Sequence, residues 1–128
     1  MKQPKVYVKK YDKIFDVIEI HFDINVVYFD DGISDEYMSL DFDEVEFIEN
    51  TGFKDKNGIS IFVGDIVKDE SCFDKNIVDL RVVKKSELFH NAYTLFEEDS
   101  KEIFDLGNQK YTEVIGNIYE NKELLEIR

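Results

Sequence analysis

His21, Cys72 and His90 are the imidazole and thiol side chains here, the types that, besides carboxylates, most often ligate zinc or pair as nucleophile and base. They stand singly, far apart along the chain. A zinc site needs Cys and His ligands in close pairs that a turn or helix can bring to one ion, and no such pair exists. Cys72 has no His neighbour to act as its base, and there is no G-x-S-x-G elbow. "GNIYEN" (Gly116–Asn121) does not have the glycine spacing of a phosphate cradle, nor does any other segment. "DDGISDE" groups Asp30, Asp31, Asp35 and Glu36 around Gly32 but lacks the alternating acids and distal Glu of a calcium loop, and reads as an acidic turn. With 29 acids in 128 residues, paired carboxylates carry almost no information about acid–base catalysis. The expectation is a non-enzyme with no catalytic residue, metal ligand or cofactor-binding residue.

The elements that position these residues are mostly strands. In "IFDVIEIHFDI" Ile14, Ile18, Ile20, Phe22 and Ile24 share one parity and Glu19, His21 and Asp23 the other, the pattern of a half-buried strand. "NVVYF" follows, then the turn Asp30–Gly32, then Met38, Leu40 and Phe42 alternating with Ser39, Asp41 and Asp43. The phase slips at Asp43–Glu44 before Val45 and Phe47, which requires a bulge or a short turn. "KNG" (Lys56–Gly58) is a hairpin signal in which Asn57 and Gly58 are both expected at positive φ. Gly64–Asp65 interrupts the next strand where a Cβ would be obstructed. "NIVDLRVV", "AYTLFEE" and "YTEVIGNIY" read as strands, "SELF" and "SKEIFDLG" as helical turns or loops. In "NKELLEIR" Asn121 is placed to cap a short terminal helix. The chain reads as a single β-rich domain over residues 1–128, with the 18 Phe and Tyr residues supplying much of its core.

Charge is the strongest global feature. The net charge is −13, and from Asp12 to Glu49 thirteen acids meet one base, Lys13. Such a segment repels a phosphate backbone, so direct nucleic-acid binding through it is disfavoured. It would serve either as a solubilising surface or as a face for a basic partner, with Glu19, Asp23, Asp41, Asp43, Glu44 and Glu46 as candidate contacts and Tyr28 and Tyr37 as anchors. Arg81, Lys84, Lys85, Phe89 and Tyr93 could form a small nucleic-acid platform, against the overall charge. No apolar run is long enough to span a bilayer. The basic N-terminus lacks the apolar stretch of a secretory signal, and one cysteine suits a reducing compartment.

Two blocks carry a family resemblance. "ENTGFKDKNGISIFVGDIVK" and "EVIGNIYENKELLE" resemble the signatures of the YopX family of small phage and prophage proteins. The likeness rests on Thr51–Gly58, Gly64–Val67 and Glu113–Asn121, with Gly52, Asn57, Gly58, Gly64, Asp65, Gly116 and Asn121 as turn-forming positions. Tyr11–Asp12 stands where family members often have Trp-Asp, and Lys122 where Pro is common. The resemblance implies a mainly β, barrel-like antiparallel domain with a short C-terminal helix, set in the bacterial host cytoplasm. It implies an accessory protein of phage or prophage and supplies no catalytic residues. The expected function is a non-enzymatic protein-interaction module whose partner is a host or phage protein with a basic surface. The alternative is an acidic nucleic-acid mimic that inhibits a host DNA-binding or defence protein. Exposed strand edges are compatible with self-association.

Overall fold

A computed structural model describes residues 3–69, 79–86, 92–97, 103–106 and 112–126. The chain divides into two compact units, Met1–Glu49 and Asn50–Arg128. Both are built from antiparallel strands, as the alternation predicts.

The first unit is one five-stranded sheet: β1 (Lys5–Val8), β2 (Lys13–His21), β3 (Val26–Asp30), β4 (Met38–Asp41) and β5 (Val45–Ile48), in the order β4-β3-β2-β1-β5. Its two edge strands are joined by a 3-10 turn of three residues, Phe42–Glu44. In a flat sheet those edges would lie roughly 19 Å apart, four gaps of about 4.8 Å. A 3-10 turn advances only about 2 Å per residue, so the sheet must curl. The curl brings Val6, Val8, Val17, Val27, Phe29 and Val45 into one buried cluster, with Phe15, Ile20, Met38, Leu40 and Phe42 packed against it. Each such side chain contributes about 1.5–3 kcal/mol by leaving water. The sheet stays open, with β4 and β5 at its edges rather than paired as in a closed barrel.

The core parity of β2 is not the one that sequence alternation suggests. Phe15 and Val17 face inward, the register with β3 shifts between Val17 and Glu19, and Ile20 faces inward beyond the shift. Ile18 is the extra residue of a β-bulge and is 38% exposed. The strand ends at His21, so Phe22, 75% exposed, and Ile24, 58% exposed, belong to the following turn and not to the core. The phase slip at Asp43–Glu44 is the 3-10 turn. The acidic loop after β3 folds around its own carboxylates. Asp30 accepts the Gly32 N–H, while Asp31 accepts the N–H groups of Ser34 and Ile33 and the Ser34 hydroxyl. Those donors hold the Asp31 carboxyl below its ordinary range.

The second unit contains a two-stranded ribbon, β6 (Asn50–Lys54) with β7 (Ser60–Phe62), and a five-stranded sheet. The sheet holds β8 (Asp65–Asp69), β9 (Asp79–Lys85), β10 (Tyr93–Phe96), β11 (Ile103–Asp105) and β12 (Thr112–Asn117), in the order β11-β10-β9-β8-β12. Ile61, Val67, Val83, Tyr93, Leu95 and Leu106 form its core. Ile103–Asp105 is therefore a strand rather than a helical turn, because β10 offers an edge with which it pairs, Phe104 opposite Leu95. Ser86 lies next to β9, and the rest of "SELF" falls outside the described residues, as do Cys72 and His90. β12 also bulges, between Val114 and Gly116, which leaves Ile115 37% exposed instead of in the core. A short helix, α1 (Glu123–Glu126), follows. Among the described residues no helix is long and apolar enough to cross a membrane.

The bulge in β2 yields a test. Deleting Ile18, the extra residue, leaves Val17 inward, Glu19 outward and Ile20 inward in unbroken alternation, so the first unit should keep cooperative unfolding by circular dichroism. Ile18→Thr keeps the bulge and should cost less than about 1 kcal/mol. Loss of cooperative unfolding in the deletion variant would show that Ile18 is not the extra residue of the strand.

Candidate functional site

Two places in the structure gather the residues singled out in the sequence. The first is where the two glycine-containing blocks meet. Asp55, only 6% exposed, directs one carboxylate oxygen at the N–H groups of Asn57 and Ile59, both at 2.9 Å. The other oxygen accepts the Val114 N–H of β12, also at 2.9 Å. Lys56 adds a main-chain bond to Thr112 O and an ion pair with Glu113 at 3.3 Å. Burial raises the Asp55 pKa, but the three N–H donors and the Lys56 charge outweigh it, and the carboxyl lies below its ordinary value.

The turn itself differs from the two-residue form that Asn-Gly suggests. Gly58 has φ +80° and Asn57 is not at positive φ. Gly58 N–H bonds to Asp55 O, and Asp55 N–H to Ile59 O. This is a three-residue hairpin loop that ends on a left-handed glycine. Asp55, absent from the expected set, is its organiser. An aspartate two residues before an Asn-Gly pair can close an Asx turn, and that was the available signal.

The remaining motif residues do similar structural work. Thr51 Oγ1 donates to Ile61 O and accepts the Phe53 N–H, and Gly52 N–H bonds to the Asn50 side chain. Asp65 accepts the Phe62 N–H at 2.8 Å. At Gly64, φ +93°, a Cβ would come within 3.0 Å of the Tyr119 ring. Asn121 does not cap the helix through its side chain. Its Oδ1 accepts the Asn117 N–H at the end of β12 and sits where a Cβ on Gly116 would fall.

The second place is one end of the first unit's sheet. The Phe42 N–H bonds to Asn25 O at 2.9 Å, and Asn25 is left-handed at φ +56°. That bond sets the turn after β2 beside the 3-10 turn and so brings Asp23, Asp41, Asp43 and Glu44 to the same end. All four are exposed, and carboxylate oxygens of Asp41, Asp43 and Glu44 lie within 4.8 Å of one another. A shallow hollow of about 150 Å³ there is lined by Val26, Ser39, Leu40, Asp41 and Glu44. Lys9 reaches the same end, its Nζ donating to Asp43 O at 3.2 Å.

Glu19 and Glu46 lie elsewhere, on the outer face of the sheet. Glu19 pairs across from Tyr28, and its carboxylate is 3.0 Å from His21 Nε2. The His21 ring lies against Tyr28 at 5.0 Å. Glu46 is opposite Tyr7, whose phenol is held above its usual range by its hydrogen bond to Asp12, by desolvation and by the charges of Asp12 and Glu46. The bulge at Ile18 lets Asp16 share that outer face with Glu19, and Asp16 stands directly across from Asp30. Alternation without the bulge assigns Asp16 to the buried parity, which is why it escaped the candidate set. Tyr37 is 61% exposed and Tyr28 half-buried.

The described members of the basic platform do not form one exposed surface. Arg81 and Tyr93 are buried, Arg81 next to Glu97 at 3.8 Å, and Phe89 lies outside the described residues. Lys84 is on the other side of β9, with its Nζ 4.0 Å from the Phe96 ring.

Comparison with known proteins adds family and fold. The family described as "YopX protein" matches residues 5–126. A solved structure, protein EF1440 from Enterococcus faecalis, is similar over 98% of both chains at 21% identity, with a TM-score of 0.62. At that identity the likeness shows the fold. No curated protein matches.

The Asp55 cluster predicts a pH signature. Asp55→Asn places an amide N–H against one of the three backbone donors and should cost about 2–3 kcal/mol in chemical denaturation at neutral pH. A carboxyl whose pKa is lower in the folded state than unfolded contributes fully above its unfolded value, about 3.9. That contribution fades as pH falls through the folded value. The gap between wild type and Asp55→Asn should therefore hold above about pH 4 and shrink below it. A gap independent of acid pH would mean that the charge of Asp55 contributes nothing.

Proposed function

The chain belongs to the YopX family, and from that premise we propose that it is a phage- or prophage-encoded accessory protein acting as a non-enzymatic protein-interaction module in the bacterial host cytoplasm. Its partner is a host or phage protein with a basic surface. The observation that carries this reading is the gathering of Asp23, Asp41, Asp43 and Glu44 at one exposed end of the first sheet, held there by the Phe42–Asn25 hydrogen bond. Like charges brought together repel, and a cationic surface relieves that repulsion while steering encounter.

Ordinary docking is preferred to nucleic-acid mimicry on the placement of the acids. A mimic needs a regular negative row along one surface. Here Glu19 and Glu46 lie on the outer sheet face, whereas Asp23, Asp41, Asp43 and Glu44 are gathered at its end. The motif residues, Asp55 included, are engaged in main-chain bonds that support a scaffold role.

The reading is tested by retention of lysate proteins on the immobilised chain after nuclease treatment, with Asp43→Lys/Glu44→Lys as the paired variant. The expected result is a retained protein that is released by salt and is reduced at least tenfold on the variant. Retention that is unaffected by both salt and charge reversal would place the interaction on another surface. Competition of the retained protein by duplex DNA would favour mimicry instead.

A further inference from the structure

The same end of the first unit carries an apolar feature that its charge does not account for. Phe22, 75% exposed, packs edge-on against Phe42 at 6.0 Å, and Phe42 packs edge-on against Phe47 at 5.2 Å. Phe42 is anchored in the core cluster, Phe47 is 38% exposed, and Ile24, next to Asp23, is 58% exposed. The aromatic series thus runs from the core to open solvent. The Phe22–Asn25 turn that holds its outer end is fixed by the Phe42–Asn25 bond. Leaving Phe22 and Ile24 in water forgoes apolar burial that either side chain would gain in the core, where about 1.5–3 kcal/mol is typical. Exposed apolar surface rimmed by polar residues is the kind on which proteins dock partners.

The charge around them selects the occupant. Residues 22–25 and 41–44, at this end, together contain four acids and no base, and Lys9, which reaches the end from beyond β1, leaves it net negative. The acids adjoin the aromatic series in both segments: Phe22-Asp23-Ile24, where the apolar residues are exposed, and Asp41-Phe42-Asp43-Glu44, where Phe42 is half-buried. A purely apolar partner would strip water from those carboxylates without compensation. A purely basic one would leave Phe22 and Ile24 wet. We propose that this end docks a cationic amphipathic segment of a partner protein, with an apolar side chain seated on Phe22, Ile24 and the exposed part of Phe47. Flanking Lys or Arg residues meet Asp23, Asp43 and Glu44. The proposal rests on the acidic-end reading above and adds the chemical class of the partner. A second copy of this chain fits poorly, because it would bring the same acids to the same place.

The experiment separates the two levels. Two synthetic peptides of equal length and charge serve as probes, one alternating Lys with Leu and one alternating Lys with Ser. Binding is measured by calorimetry, and the contact surface by backbone amide shifts. Wild type should bind the Lys-Leu peptide at least tenfold more tightly, with shifts centred on residues 22–25 and 42–47. Phe22→Ser/Ile24→Ser alters exposed turn positions. It should keep the wild-type melting curve, lose the tenfold preference and keep its affinity for the Lys-Ser peptide. Asp43→Lys/Glu44→Lys should weaken both peptides at least tenfold. Equal binding of the two peptides by wild type, or an unchanged preference in Phe22→Ser/Ile24→Ser, overturns the apolar anchor while leaving the acidic end intact. Failure of Asp43→Lys/Glu44→Lys to weaken either peptide overturns the acidic-end reading itself. A wild-type dimer in sedimentation that Phe22→Ser/Ile24→Ser dissociates would assign the surface to a second copy and overturn the proposal.

Discussion

The second unit depends on one buried carboxylate. Asp55 accepts three main-chain N–H groups, two from its own hairpin loop and one from a residue 59 positions further along the chain. A carboxylate taken out of water needs such donors, and backbone amides supply them without a side chain to order. The two blocks that resemble the family signature are adjacent because this group joins them. The β8–β12 ladder and the close packing of Gly64 against Ile118 and Tyr119 continue the same contact. Glycine at Gly64 follows from that proximity, since a Cβ there would press on Tyr119 of the opposing block, whereas a Cβ at Gly116 would strike Asn121 and Leu124 of its own block.

Two β-bulges decide what the strands present to solvent. Alternation has a period of two, so an inserted residue exchanges the faces of everything beyond it. At Ile18 the exchange keeps Phe15, Val17 and Ile20 on the core side and places Asp16 and Glu19 together outside. At Ile115 it removes an isoleucine from the core of the second sheet and leaves it 37% exposed. The curl of the first sheet is a related constraint. A three-residue link between its edges closes the distance, and the cluster beneath is buried without a covering helix.

Scaffold and candidate interaction surface occupy different units. The motif blocks lie wholly in the second, bound up in main-chain hydrogen bonds. The acids and exposed aromatics gather in the first, at the junction of two turns. Clustered acids and exposed phenylalanines are both unfavourable for an isolated protein. Their coincidence at a turn junction fixed by a hydrogen bond is the physical basis for the interaction function proposed.

The sequence by itself determined the strand-dominated class, the hairpin at Lys56–Gly58, the break at Gly64 and the family, because periodicity and turn chemistry are local. The net charge and its concentration between Asp12 and Glu49 were equally legible. Tertiary structure alone decided the rest. Bulge positions depend on the partner strand, so Phe22 and Ile24 read as core and proved to be exposed turn residues. Ile103–Asp105 became a strand because an edge was present to receive it. Asn121 turned its side chain to Asn117 and away from the helix start because Gly116 left room for it. The carboxylate of Asp55 found its third donor far along the chain, and no local pattern records a bond between residues that only folding brings together.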